Sequence, residues 1–291
     1  MKIMIKKTFY KDRPAISIES EHFSAVFLHL DGGKLASFKT KEGEELLAQA
    51  PNKEYKRLFL DSDYVKSECS AFDDMFPTID PCKINGLDYL DHGEVCRREH
   101  DTEIIDDKVQ FSCYLPSLDI TYKKSAYIQN NTLCIRYTIE NHNDYDFPYI
   151  WAGHMMFKGE QGAYVTSNFP KDSPMKIMFG NPESESTAHI LPCIGNKNYK
   201  FYYTEFLPKL KCGVVYPKNK TKVNVELDND VIKYLGVWVN PGDLNNMYNI
   251  ALEPCSAPYD SPQNAQKENV CSYISPKEKI EFTLKLSYSK I

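Results

Sequence analysis

No stretch of the 291 residues approaches the roughly 20 consecutive apolar residues that a membrane helix needs. The opening Met1-Lys2-Ile3-Met4-Ile5-Lys6-Lys7 is too short in apolar residues to read as a secretory signal. No Cys-x-x-Cys occurs among the nine cysteines, Cys69, Cys82, Cys96, Cys113, Cys134, Cys193, Cys212, Cys255 and Cys271. Their odd number and wide spacing argue against a secreted disulfide framework, and predict mostly buried, reduced thiols in a cytoplasmic protein. No basic stripe is present. Lys and Arg are scattered, and 35 of them stand against 40 Asp and Glu for a net charge of -5, which gives no nucleic-acid footprint. No linker or shift in composition divides the chain, so it reads as one domain over residues 1–291. A long amphipathic helical period is also missing. Residues 43–50 and 63–68 are the two candidates for short helices.

What is present is a hydrophobic period of two. Leu133, Ile135, Tyr137 and Ile139 alternate with Cys134, Arg136, Thr138 and Glu140. Val223, Val225 and Leu227 alternate in the same way, as do Phe282, Leu284, Leu286 and Tyr288. Such alternation marks strands with one buried face. Turn formers punctuate them, among them Asp31-Gly32-Gly33, Gln129-Asn130-Asn131 and Asp228-Asn229-Asp230. Many short strands with close turns predict an all-β sandwich or barrel. The Pro- and Ser-bearing residues 168–192 read as a long surface excursion. Aromatic residues make up 13% of the chain, with 20 Tyr and 15 Phe. They suit strands, and they also suit carbohydrate sites.

Three motifs carry candidate chemistry. Tyr248-Asn249-Ile250-Ala251-Leu252 is an apolar run that ends on Glu253, before Pro254, Pro258 and Pro262 break it. A strand that delivers a carboxylate to its mouth is a way to present an acid or base. His92 stands before Gly93, whose lack of a side chain allows a tight turn, and the bland alternative is a solvated surface His. His154, in Trp151-Ala152-Gly153-His154, is either a hydrogen-bonded core residue or an imidazole at an aromatic pocket. Trp238 is either core packing or a platform for the apolar face of a sugar. A metal centre on His92, Glu94 and His100 fails on the cysteines. A zinc deaminase would need Pro-Cys-x-x-Cys, whereas Pro254-Cys255 runs into Ser256-Ala257-Pro258 and Pro81-Cys82 also lacks its second thiol. No metal and no cofactor are expected.

Four regions together resemble the aldose 1-epimerase (galactose mutarotase) superfamily. They are Ala25 to Phe38 with its Gly32-Gly33 turn; Phe76-Pro77 followed by Asp91-His92-Gly93; the strand ending at Glu253; and the closing hairpin from Asn269 to Leu284. In that hairpin Lys277 stands where the superfamily usually has Gly. The resemblance implies a galactose mutarotase-like supersandwich, a large antiparallel β-sandwich with a sugar cleft on one sheet. It implies Glu253 as general base, His154 as general acid and His92 as a second imidazole near the substrate oxygens. Arg97 or Arg98 would bind hydroxyls, and Asp74 or Asp243 would supply a sugar-binding carboxylate.

The expected activity is isomerisation at the anomeric carbon of a sugar or sugar phosphate by acid/base ring opening and closure. The alternative is a catalytically weak carbohydrate-binding or regulatory protein of the same fold. The expected partner is a small carbohydrate, with no nucleic acid and no membrane, for a monomer or homodimer. Whether His154 and Glu253 meet at one cleft separates the two readings.

Overall fold

The computed structural model describes residues 3–170, 172–180, 190–192, 198–242 and 244–291, and only the backbone of 190–192. Cys193 and Asp243 lie outside the described residues. The period of two builds two large antiparallel sheets. From edge to edge, the ten-stranded sheet runs Met4–Tyr10, Arg13–Glu19, Phe23–Leu28, Lys34–Thr40, Phe72–Met75, Ala152–Lys158, Tyr248–Cys255, Tyr234–Pro241, Tyr199–Tyr203 and Met175–Phe179. The nine-stranded sheet runs Ile190–Pro192, Tyr164–Ser167, Lys209–Tyr216, Thr221–Asp228, Lys279–Lys290, Thr132–Asn141, Ile120–Gln129, Lys108–Leu115 and Asp101–Ile105.

The three alternating runs legible in the sequence are three adjacent strands of the second sheet. Ile135 pairs with Leu284 and Tyr137 with Phe282. On the other side of the same strand, Val225 pairs with Leu286 and Leu227 with Leu284. Their inward side chains meet those of the first sheet, including Phe201, Val237, Leu252 and Met155, in one apolar core. Each such side chain gives about 1.5–3 kcal/mol on burial, before the entropy of ordering the chain is counted.

A second apolar cluster covers the opposite face of the ten-stranded sheet. Met156, Ala251, Cys255, Tyr202 and Trp238 point there, under Tyr64, Cys69, Ile79 and Cys96 from the long connections that fold back over the sheet. That roof distinguishes the two faces and positions the site.

Three expectations are corrected. Residues 43–50 are not helical. They run extended, with bridges Lys39 to Glu45 and Leu47 to Phe157. The Glu45 carboxylate accepts from the backbone N–H groups of Phe38 and Leu47, which holds the segment against the sheet. Residues 63–68 form turns. Among the described residues the α-helix is Pro262–Lys267 instead, with Pro at its first position and the Ser261 hydroxyl accepting from the Asn264 N–H at 3.3 Å. Six residues are too few for a helical period to show. Residues 168–192 are also more than an excursion, because Met175–Phe179 extends the ten-stranded sheet by pairing with Tyr199–Tyr203. Among the described residues no helix is long and apolar enough to cross a membrane. The eight described cysteines are free thiols, six of them buried.

Candidate active site

Strand parity decides which side chains reach the roofed face. In register, Gly236 lies beside Glu253 and Tyr202 beside Gly236, while Lys200 lies beside Trp238. His154 lies beside Asp73 on the next strand pair. Alternation therefore sends Asp73, His154, Glu253, Trp238, Lys200 and Tyr202 to one face, and Phe72, Asp74, Met155, Leu252 and Val237 to the inter-sheet core. Gly236 supplies the room this crowding needs. A Cβ there would lie 2.7 Å from the Tyr202 ring and 3.2 Å from the Glu253 Cβ.

A cavity of about 170 Å³ opens on this face, lined by Glu253, His154, His92, Lys200, Trp238 and Asp260 among others. It is smaller than the roughly 300–1,000 Å³ of drug-sized sites, a scale that suits a small, single-ring molecule. Glu253 is 0% exposed. Its strand runs on through Pro254 to Cys255, so the carboxylate is presented from within a strand and not at its end. Glu253 Oε1 lies 3.7 Å from His154 Nε2, too long for a hydrogen bond but close enough for one substrate to touch both. Glu253 Oε2 lies 2.8 Å from Lys200 Nζ. That contact is an ion pair, and neither Glu253 oxygen accepts a well-aligned hydrogen bond among the described residues. His154 Nδ1 is likewise buried and without a partner there.

Burial pushes the Glu253 pKa above the ordinary carboxylate range, and the adjacent Lys200 opposes that rise. Burial holds the His154 pKa well below that of free imidazole, reinforced by the nearby His92, Lys200 and Lys34. Burial therefore favours the neutral imidazole at His154. Burial also opposes the charge on Lys200, but Glu253 and Asp260 override it and raise its pKa.

His92 enters from the roof with φ at 57°, in the left-handed region. Its backbone N–H donates to Ile79 O at 2.6 Å, and the next residue, Gly93, bridges to Phe76. A Cβ at Gly93, where φ is 74°, would strike the Phe76 carbonyl, so the close approach requires glycine. The His92 ring stacks on Tyr64 at 3.9 Å and 9°, with Nδ1 2.9 Å from Asp91 Oδ1. Tyr64 is fixed in turn by donating to Asp73 Oδ2 at 2.9 Å, where Lys34 also binds. Trp238 tilts against His154 with ring centroids 5.6 Å apart, and its Nε1 donates to Asn198 at 2.5 Å.

No family model matches the sequence, and no curated protein matches it. Solved structures do. A protein from Klebsiella pneumoniae, provisionally named an aldose 1-epimerase, is 15% identical with a TM-score of 0.76, over 98% of this chain and 83% of its own. A galactose mutarotase related enzyme from Lactobacillus acidophilus is 14% identical with a TM-score of 0.70, over 95% of this chain and 97% of its own. A galactose mutarotase-like protein from Clostridium acetobutylicum is 15% identical with a TM-score of 0.69, over 99% of each. The chain has the galactose mutarotase-like fold.

Within this galactose mutarotase-like sandwich, three of the sequence candidates do not reach the cavity. Asp74 faces the inter-sheet core, where Lys124 donates to Oδ2 at 2.6 Å and Tyr137 to Oδ1 at 2.9 Å. Arg97 gives its N–H groups to the carbonyls of Gly93, Phe59, Leu60, Ser62 and Asp91, clamping the loop that carries His92. Arg98, half-buried, pairs with the buried Glu94 carboxylate, which also takes the Ser117 hydroxyl. His100 is turned away from His92 and Glu94, with Nε2 near Val95 O, so these three share no centre. Among the described residues no group of three or more His, Cys, Asp or Glu is placed to hold a metal.

The cavity's cation is Lys200, which sequence reasoning missed, together with Asp260 and Tyr64. Lys200 lies in Tyr199-Lys200-Phe201-Tyr202-Tyr203, where Tyr199, Phe201 and Tyr203 face the core. A lysine at the out-of-phase position of such a strand was the available signal. Asp260 lies in the Pro-rich break after Glu253, and nothing local marks it.

Proposed function

We propose that the protein is an aldose 1-epimerase-like isomerase, acting at the anomeric carbon of a small sugar without a cofactor. The observation that carries this reading is the approach of Glu253 and His154 in one buried cavity of single-ring size. Mutarotation needs one group to take the anomeric proton and another to protonate the ring oxygen. With the mobile proton on His154, Glu253 takes the anomeric proton while the imidazolium protonates the ring oxygen. The C1–O5 bond breaks and C1 becomes an aldehyde. Rotation about C1–C2 exposes the other face. On closure Glu253 returns its proton to the carbonyl oxygen and His154 recovers its own, so the pair ends as it began. Burial disfavours both the Glu253 carboxylate and the His154 imidazolium, Lys200 opposes this at Glu253, and the reacting ion pair forms with the sugar bound. A bound hydroxyl-rich ring supplies a polar partner to Glu253 Oε1, which has none among the described residues.

His92 has one ring nitrogen held at Asp91 and the other left to orient the sugar. Trp238 offers an aromatic wall for C–H groups. The free, mostly buried thiols fit a reducing compartment, so we place the protein in the cytoplasm as a monomer or homodimer. A carbohydrate-binding role without useful turnover is the second reading, favoured by both arginines being engaged elsewhere. The deciding experiment follows anomer equilibration by polarimetry or NMR over a panel of aldoses and sugar phosphates. The wild type should accelerate equilibration of at least one. Glu253→Gln should lower that rate by about 10² or more while the sugar still binds. Saturable binding with no acceleration would select the second reading.

A further inference from the structure

Lys200 and Asp260 have no place in the acid/base pair, yet both are buried at it. Lys200 is 6% and Asp260 7% exposed. The ammonium sits between two carboxylates, 2.8 Å from Glu253 Oε2 and 2.7 Å from Asp260 Oδ1. Tyr202 donates to the same Asp260 oxygen at 2.6 Å. The Asp260 backbone is anchored as well. Its carbonyl accepts from the N–H groups of Ile79 at 2.9 Å and Asp80 at 2.7 Å. Ile79 in turn accepts from the His92 N–H at 2.6 Å. One continuous set of contacts therefore runs from Glu253 through Lys200 and Asp260 to the loop that carries His92.

We propose that Lys200 is a positioning residue of this site: its ammonium, wedged between Glu253 and Asp260, holds Glu253 as the carboxylate and leaves Oε1 to face His154 and the substrate. This rests on Glu253 being the base. The geometry is asymmetric in the required sense. One oxygen of Glu253 is at ion-pair distance from a fixed cation, and the other is left with the imidazole 3.7 Å away. An uncompensated carboxylate in so dry a position would take up a proton and cease to be a base. Asp260 acts in the opposite direction. It shares the ammonium and adds negative charge near Glu253, so it limits how far Lys200 can favour the ionised form. The other groups that bear on Glu253 are His154 from the neighbouring strand, His92 and Asp80 from the roof, and Tyr202 and Cys255 from the sheet. Among these groups and Asp260, Lys200 is the lysine that contacts the carboxylate.

The test titrates the Glu253 carboxyl by ¹³C NMR, assigned by its loss in Glu253→Gln, in the wild type, Lys200→Met and Asp260→Asn. Lys200→Met should raise the midpoint by about one to three pH units, the usual effect of losing an opposite charge at this range. Asp260→Asn should lower it. Opposite movements distinguish a charge acting on Glu253 from a merely structural role, which moves neither midpoint or moves both alike. Either of those results overturns the proposal. If Lys200→Met fails to fold, Asp260→Asn keeps the ammonium and its sign alone decides. The acid limb of kcat/KM for anomer interconversion should follow the same shifts. If no sugar is interconverted while the midpoints still move oppositely, the functional reading fails and the Lys200 assignment stands.

Discussion

Two of the buried lysine–carboxylate groups lie against opposite faces of the ten-stranded sheet, and they are built differently. On the inner face Asp74 is fully satisfied, with one oxygen taken by Lys124 at 2.6 Å and the other by the Tyr137 hydroxyl at 2.9 Å. On the outer face Lys200 is shared by two carboxylates, and Glu253 is left with no well-aligned hydrogen bond among the described residues. Both groups cost free energy to desolvate. The inner one recovers that cost by complete pairing within a packed core. The outer one lines a cavity and keeps its unsatisfied atoms facing it. Buried charge alone does not mark a site; incomplete pairing beside an opening does.

This contrast predicts that the two groups respond differently to neutralisation. Asp74→Asn leaves the Lys124 ammonium buried without its counter-charge. It should lower stability by about 3–5 kcal/mol in chemical denaturation, the usual cost of removing one partner of a buried pair. A loss under about 1 kcal/mol would show that the inner pair is more hydrated than its burial indicates.

The histidines sharpen the outer half of the comparison. His154→Asn removes a group that moves a proton in the transition state, so kcat should fall by about 10- to 100-fold. His92→Asn loses an orienting contact and should act comparably or more on KM. Steady-state kinetics on any sugar the protein turns over checks the order, and a reversal exchanges the two roles.

Acid should expose a third distinction. Burial pushes the His100 pKa down to about 3 and that of His154 well below 6.5. The unfolded chain binds protons at these positions that the native protein does not. The associated stability is complete above about pH 6.5 and is lost as pH falls toward the folded values. Glu253 has the opposite sign. Its raised pKa makes the native state lose stability as pH climbs above the ordinary carboxylate range. Thermal unfolding against pH should show His100→Gln flattening the decline between about pH 6.5 and 3. A parallel decline in that variant would assign the acid sensitivity elsewhere.

The smallest effect on turnover belongs to Arg98. Half-buried, it pairs with the buried Glu94 and lies outside the cavity. Arg98→Ala should change kcat/KM of the folded protein by less than about twofold, while costing about 1–3 kcal/mol of stability because the buried Glu94 carboxylate loses its cation. A large loss of turnover would return Arg98 to the substrate.

These assignments also show what the chain makes legible. Alternation such as Ile135, Tyr137 and Ile139 reports burial directly, so the sandwich is readable without coordinates. Glu253, His92 and His154 are readable because each stands out from its immediate neighbours. Asp73 and Asp74 are adjacent acids, and only the register of their strand sends one to the roofed face and the other into the core. Arg97 and Arg98 are equally ambiguous, because the carbonyls that engage Arg97 come from 59–62 and 91–93, set by how two loops fold together. Lys200 and Asp260 meet across 60 residues. That approach is a property of the sheet order, and no local pattern encodes it.

The central claim is that the outer group serves chemistry and the inner one serves the fold. Measuring Glu253→Gln and Asp74→Asn side by side, for anomer interconversion and for denaturation midpoint, tests it most directly. The account predicts that Glu253→Gln loses about 10² or more in turnover with its midpoint unchanged or higher, because a desolvated carboxylate has been removed. It predicts that Asp74→Asn unfolds more easily while its folded fraction keeps turnover within a few-fold. Near-normal turnover in Glu253→Gln, or a loss of stability matching that of Asp74→Asn, would contradict it.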